Sequence, residues 1–168
     1  MIVGPGDGVT RKLAGLLGVF PLLPLARGDA RLAPVVVGDV IEAIVRSLET
    51  PEVRNATLEL CGPETFSLVG LARYVARVRG LKRAVFALPE PFGWLQAALL
   101  GLVPGKPMTL DNYRSLGVEG VCHDNGFARL GIAPTSLRSV VPGYLGAEQQ
   151  AERFSAYRRA AGTRIDEP

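Results

Sequence analysis

Apolar residues in this chain fall in short unbroken runs and in stripes of helical spacing, punctuated by Gly and Pro. Met1-Ile2-Val3 followed by Gly4-Pro5-Gly6-Asp7-Gly8 reads as the end of a buried strand entering a turn. Val9 to Phe20 predicts a short helix, broken by Pro21-Leu22-Leu23-Pro24. Ala33-Pro34-Val35-Val36-Val37 has no alternation, the pattern of a strand buried on both faces of a parallel sheet. Asp39 is the expected N-cap of the next helix, and Glu42 completes a capping box. That helix carries Val40, Ile41, Ile44, Val45 and Leu48 on one stripe, expected to be buried, with Glu42, Arg46 and Glu49 in water.

The unit then recurs. Thr57 to Cys61 reads as a strand and Gly62 to Thr65 as a turn. Ser67 caps a helix with Leu68, Leu71, Ala72, Val75 and Val78 on its apolar face and Gly80 as its stop. Ala84 to Leu88 is a further strand. Strand–helix alternation of this kind predicts the α/β class, with a small parallel sheet and flanking helices. Beyond Pro91 the pattern becomes helical: Phe92 to Leu102, Thr109 to Leu116, Asn125 to Leu130, and a segment capped by Thr135 that carries Leu137, Val140, Val141 and Leu145. Residues 1–146 are expected to form one domain, and 147–168 a polar helical or frayed tail.

With 168 residues, 48% of them apolar and 21% charged, the chain has the means for one soluble core. A net charge of +3 is too mild for a nucleic-acid binder, and the basic stretch has no interleaved aromatics. Two cysteines, Cys61 and Cys122, are too few for a secreted disulfide scaffold, so reduced thiols in a cytoplasmic protein are the expectation. The start lacks the pattern of a signal peptide. The longest apolar stretch, Phe92 to Val103, holds about a dozen residues, short of the roughly 20 that span a bilayer.

Candidate chemistry is sparse. Gly4-Pro5-Gly6-Asp7-Gly8 lacks the third glycine of a dinucleotide loop, because Val9 stands there, and reads as a plain strand-to-helix turn. Tyr74, Tyr113, Tyr144 and Tyr157 are followed four positions on by Val78, Gly117, Glu148 and Ala161, so no Tyr–Lys proton-transfer pair lies here. His123, beside Cys122, is the single histidine and is expected in a loop, not in a metal site or dyad. Arg73, Arg77, Arg79, Lys82 and Arg83 form a basic cluster, read first as a wet helix face. Phe92, Trp94, Leu95, Leu99, Leu100 and Leu102 are read first as core, and second as a docking surface for a membrane or partner.

The run Arg31-Leu32-Ala33-Pro34-Val35-Val36-Val37-Gly38-Asp39-Val40, then Ala43, resembles the R-x-Q-P-V-x-V-x-D-V-A segment of atypical extended short-chain dehydrogenase/reductases. Leu60-Cys61-Gly62-Pro63-Glu64 is similar to the strand and turn that follow it there. Pro107 to Asn112, Leu130 to Thr135 and Pro142-Gly143-Tyr144-Leu145 resemble the C-terminal signature of one branch. That branch holds the NADPH-binding accessory subunit of respiratory complex I and its NAD-dependent epimerase/dehydratase-like relatives. Two positions depart from the pattern: Ala33 stands in place of Gln, and Gly38 in place of an acidic residue.

The resemblance implies the substrate-side half of such a fold, without its N-terminal Rossmann half, glycine-rich loop or Tyr/Lys pair. It implies NADPH or NADH as cofactor of a full-length protein and none for this chain alone. By the same resemblance Val3 and Gly4 lie beside the nicotinamide pocket, and Arg31 and Pro34 lie near the substrate cleft, with no catalytic residue and no metal. The expected partners are the missing Rossmann half or a second copy, through sheet edges left open at Ile2-Val3 and Val35 to Val37. The competing expectation is a non-catalytic module, peripheral to the inner membrane face, docking on a respiratory or biosynthetic complex through Phe92–Val103 and Arg73–Arg83.

Overall fold

The structure is a computed structural model and describes residues 1–94, 96 and 110–146. Three short two-stranded ladders organise it. Strand β1 (Ile2–Val3) runs parallel to β4 (Val35–Val36), with Val3 opposite Val36. Strand β2 (Leu22–Ala26) runs parallel to β6 (Ala84–Leu88) over five residues. Strand β3 (Arg31–Leu32) is antiparallel to β5 (Phe66–Ser67). Helices α1 (Gly8–Val19), α2 (Val37–Glu49) and α3 (Leu68–Val78) flank the strands, α4 (Leu110–Ser115) follows, and residues 137–146 are helical. The class is α/β with small parallel sheets and flanking helices, as the pattern predicts.

One core joins Leu13 and Leu17 of α1, Leu23 and Leu25 of β2, Leu71 and Val75 of α3, Val85 of β6, and Leu137, Val141 and Leu145. Burying each such aliphatic side chain is worth about 1.5–3 kcal/mol, which is why these stripes fix how the helices lie. A second, smaller cluster gathers Val35, Ala43, Val53, Phe127, Leu130 and Ile132. Asp7 caps α1 by accepting from the amides of Val9 and Thr10 at 2.9 and 2.7 Å. The same carboxylate accepts from Tyr144, tying the helical residues 137–146 to the start of α1.

The structure departs from the sequence reading in several places. Residues 57–61 form no ladder; only Glu59 bridges to Asn125. The 33–37 run contributes two strand residues before Val37 begins α2. Asp39 is therefore inside the helix and not its cap: it is buried and accepts from the Thr135 amide and hydroxyl at 2.6 and 2.7 Å. Arg46, expected in water, donates to the carbonyls of Leu130 and Gly131 and pairs with Glu42. Pro21 to Pro24 follows the end of α1, as the reading of a break expects, but it also opens into β2, which the sequence reading does not include. Pro24 is tolerated because, among the described residues, β2 has a strand on one side only, and a proline removes no ladder donor on the other. On that free edge the Gln96 side chain takes the place of a strand, donating to Pro24 O and accepting from Ala26 N at 2.8 and 2.9 Å.

The cysteines, expected as reduced thiols, are joined as Cys61–Cys122. Spacing along the chain hides this pairing, because the Glu59–Asn125 bridge is what brings the two segments together. Asn125 reinforces it by donating its side-chain amide to Cys61 O at 2.8 Å. The largest departure is α2: Ile41, Ile44, Val45 and Leu48 are 57%, 57%, 50% and 81% exposed, and only Asp39 and Ala43 are buried. Its apolar stripe faces outward. The tail 147–168 and most of the 92–103 helix lie outside the described residues.

Candidate functional site

The turn from Arg27 to Ala30 connects β2 to β3 and closes with Ala30 N donating to Arg27 O at 3.0 Å. Carbonyls of this turn also meet the open start of α3: Leu68 N donates to Ala30 O and Val69 N to Gly28 O, at 3.1 and 2.9 Å. The first amides of a helix lack partners within it, so these bonds seat the turn on α3. Gly28 is held from both sides, since a methyl group there would lie 2.6 Å from Val69 Cγ2 and 2.7 Å from Ala87 Cβ. The turn has little room to move.

Arg27 leads this turn with φ +49°, in the left-handed region that non-glycine residues avoid. Holding it there costs on the order of 1 kcal/mol or more. Its guanidinium lies over the Tyr113 ring, 4.6 Å from the centroid, and Nη1 is 3.3 Å from Glu90 Oε1. Nε is buried with no hydrogen-bond partner. Glu90 opens a helical stretch, residues 90–94, that packs closely on the end of β2: a methyl at Gly93 would sit 3.2 Å from Ala26 Cβ and 3.3 Å from Tyr113 Cε2. Tyr113, buried in α4, donates to Glu90 O at 3.4 Å.

Arg27, Gly28 and Glu90 wall a cleft of about 260 Å³ that also takes in Asp29, Arg31, Leu88, Leu116 and Glu119. Its far wall is fixed by Gly120, which donates to Arg31 O and accepts from Ala33 N, both at 2.8 Å. Both signs of charge are present, with two apolar side chains between them, so the cleft suits a polar end group on a partly apolar body. A second, more apolar groove of about 360 Å³ runs beside α2 and includes Ile44, Val53, Leu58, Leu60 and Leu130.

Of the residues singled out from sequence, Arg31 lines the cleft. Val3 and Gly4 sit at the end of β1 beside β4, and a methyl at Gly4 would meet Val37 Cγ1 at 2.6 Å. Pro34 is buried against Gly62, away from the cleft lining. The geometry therefore separates these positions into a strand-end group and a cleft residue. Arg27, Glu90, Tyr113 and Glu119 were not anticipated. The readable signal was Arg27-Gly28-Asp29, a turn sequence with an arginine where Gly or Asn would be easier.

The other candidates resolve into structural roles. Asp7 occupies the amides at the start of α1, so Gly4 to Gly8 is a strand-to-helix turn, not a pyrophosphate cradle. Arg73 donates twice to Val85 O and Arg83 once to Leu17 O, so two cations of the basic cluster hold backbone. Cys122 is in the disulfide and the His123 amide donates to Glu59, which leaves no Cys–His dyad. Among the described residues no group of His, Cys, Asp or Glu could hold a metal ion. Phe92 and Trp94 are exposed, and no described helix is long and apolar enough to cross a membrane. Elsewhere, burial and then the Glu64 carboxylate push the Tyr74 phenol above its ordinary value, against Arg138 and Arg77.

No protein-family model matches the chain. A ceramide reductase of Caulobacter vibrioides is 31% identical over 99 residues, 59% of this chain and 31% of that protein. Among solved structures, a nucleoside-diphosphate-sugar epimerase of Staphylococcus aureus superposes with a TM-score of 0.58 at 16% identity, over 82% of this chain and 49% of its own. The NADPH-dependent quinone oxidoreductase of Escherichia coli, solved with NADPH, gives 0.57 at 18% identity, over 81% and 49%. The chain thus spans about a third of the curated relative and about half of each solved protein. Its α/β fold is similar to that of this epimerase and this quinone oxidoreductase, over about half of their length.

Proposed function

We propose that this chain is the substrate-side part of an NAD(P)-dependent reductase- or epimerase-like protein, and that it works against a nucleotide-binding half seated on α2. The outward apolar face of α2 carries this reading. An amphipathic helix exposing Ile41, Ile44, Val45 and Leu48 beside an apolar groove has the character of an interface and not of a finished surface. A chain overlaying half of its structural neighbours supports it further. The order of the motifs at 107–112, 130–135 and 142–145 supports the finer assignment, to the branch of the complex I accessory subunit.

In this reading the chain contributes the cleft around Arg27 and Arg31, and Val3 and Gly4 lie at the cofactor-facing strand end. The residues present do not hold a dinucleotide by themselves, because Asp7 fills the helix start where a pyrophosphate would sit. Titrating NADPH into the 168-residue chain, with nicotinamide fluorescence as the readout, tests this. No saturation below the millimolar range is expected. Micromolar binding, roughly −8 kcal/mol, would place the nucleotide site within this chain and overturn the proposal. A blot of source-cell lysate for this chain at about twice its length would support the two-half reading.

A further inference from the structure

We propose that Arg27 is a carboxylate-binding residue of the cleft, and that Glu90 occupies the place a ligand carboxylate takes. The inference deepens the reading of this cleft as the substrate cleft and names the class of ligand: a monocarboxylate with an apolar body.

Three costs converge on Arg27: a left-handed backbone, a buried Nε without an acceptor, and a long side chain pinned against Tyr113. A surface arginine would shed the last two by swinging into water. Strain of this kind persists only where the surroundings over-determine it, and it gathers at ligand sites. Here the surroundings are the turn seated on α3, the tight packing at Gly28, and Gly117, where a methyl would lie 3.4 Å from the Arg27 guanidinium. What these contacts hold in place is the outer end of the guanidinium, facing the cleft.

The group already on that end is a carboxylate, which shows what the site accepts. Glu90 is 75% exposed, and an ion pair so open to water is weak. A ligand carboxylate carried on a body that packs against Leu88 and Leu116 gains burial that the Glu90 side chain does not. The cleft walls carry Arg27 and Arg31 against Asp29, Glu90 and Glu119. Once Glu90 swings out, the remaining charges balance two against two. A single negative charge on Arg27 is then accommodated, whereas a doubly charged phosphate meets Asp29 and Glu119.

The test is a titration of the 168-residue protein with hexanoate and, at matched ionic strength, with inorganic phosphate. It is read at the backbone amide resonances of Gly28 and Gly117, which line the cleft, the latter against the guanidinium. Hexanoate is expected to give saturable shifts, phosphate none. Glu90→Gln, at an exposed position that does not threaten folding, is expected to tighten hexanoate about two- to fivefold by removing the competitor. Arg27→Lys is expected to abolish the saturable shift. The proposal is overturned if Glu90→Gln shows no saturation, if Arg27→Lys binds as the parent does, or if phosphate binds more tightly than hexanoate. Neither NADPH nor turnover enters the titration. Failure here would leave the two-half reading intact, and failure of the NADPH experiment would leave this site intact.

Discussion

At the scale of the residue, backbone-to-backbone approach decides more than side-chain chemistry. A methyl group on Gly62 would fall 1.8 Å from the Pro34 carbonyl oxygen, and backbone cannot move aside as a flexible side chain can. Pro34 is thus the floor against which the 62–65 turn is laid. Gly62→Ala is expected to destabilise the fold by about 3 kcal/mol, at the upper end of what one substitution does. Gly15, inside α1, is the control, because a methyl group added there would meet nothing within 4 Å. Gly15→Ala is expected to stabilise by about 0.5–1 kcal/mol. Urea unfolding of the two variants separates these outcomes. Equal midpoints would mean that the Gly62–Pro34 contact does not form in solution.

At the scale of the element, the 120–126 segment is the least self-sufficient part of the fold. It has no ladder of its own and is held by the Cys61–Cys122 disulfide, the Asn125 amide and single bonds to Glu59. Two residues before Cys122, Gly120 fixes Arg31 at the cleft wall, so the disulfide also steadies the cleft. Cross-linking residues 61 apart in sequence removes chain entropy worth about 4 kcal/mol from the unfolded state. Cys122→Ser, or reduction of the parent, is expected to lower the urea midpoint and to broaden the amide resonances of Gly117 and Gly120. A midpoint indifferent to reductant would rule this out. The pairing illustrates what the sequence leaves unreadable. Elements whose residues carry their own signal were legible: Ser67 caps α3 through its bond to Gly70 N, Gly80 stops it at φ +65°, and Ala84–Leu88 is a strand end to end. Features set by partners distant in sequence were not. Asp39 looks like a cap until Thr135 arrives from 96 residues away, and the strand that follows the break at Pro21 is set by pairing with β6 and by Gln96, which reaches the Pro24 carbonyl. The same holds for the cleft. Arg31 was singled out by its motif and lines the cleft, whereas Glu90 and Tyr113 draw notice only through their tertiary approach to Arg27.

At the scale of the whole molecule, α2 carries four exposed aliphatic side chains on one helix, while Val19, Phe20 and Leu22 expose further apolar surface where α1 gives way to β2. The side chains of Val3, Val35 and Val36 are buried and Ile2 is exposed, so the β1 and β4 pair offers backbone edge and one aliphatic side chain, whereas the α2 stripe exposes four. A helix face of four large aliphatic side chains beside an apolar groove exchanges water for another apolar surface at roughly 25 cal/mol per Å² buried. If a nucleotide-binding half normally takes that surface, the 168-residue chain without it is expected to associate with itself there. Light scattering across a hundredfold range of concentration should then show mass rising with concentration. Ile41→Glu with Leu48→Lys, both at exposed positions that support no core contact, should return it to a monomer without lowering the unfolding midpoint. This double variant separates the helix face from the strand edges. Association that survives the change would assign self-pairing to the β1 and β4 edges. A parent chain that stays monomeric throughout would mean that the α2 face needs no partner, and would weaken the case for a second half seated on it.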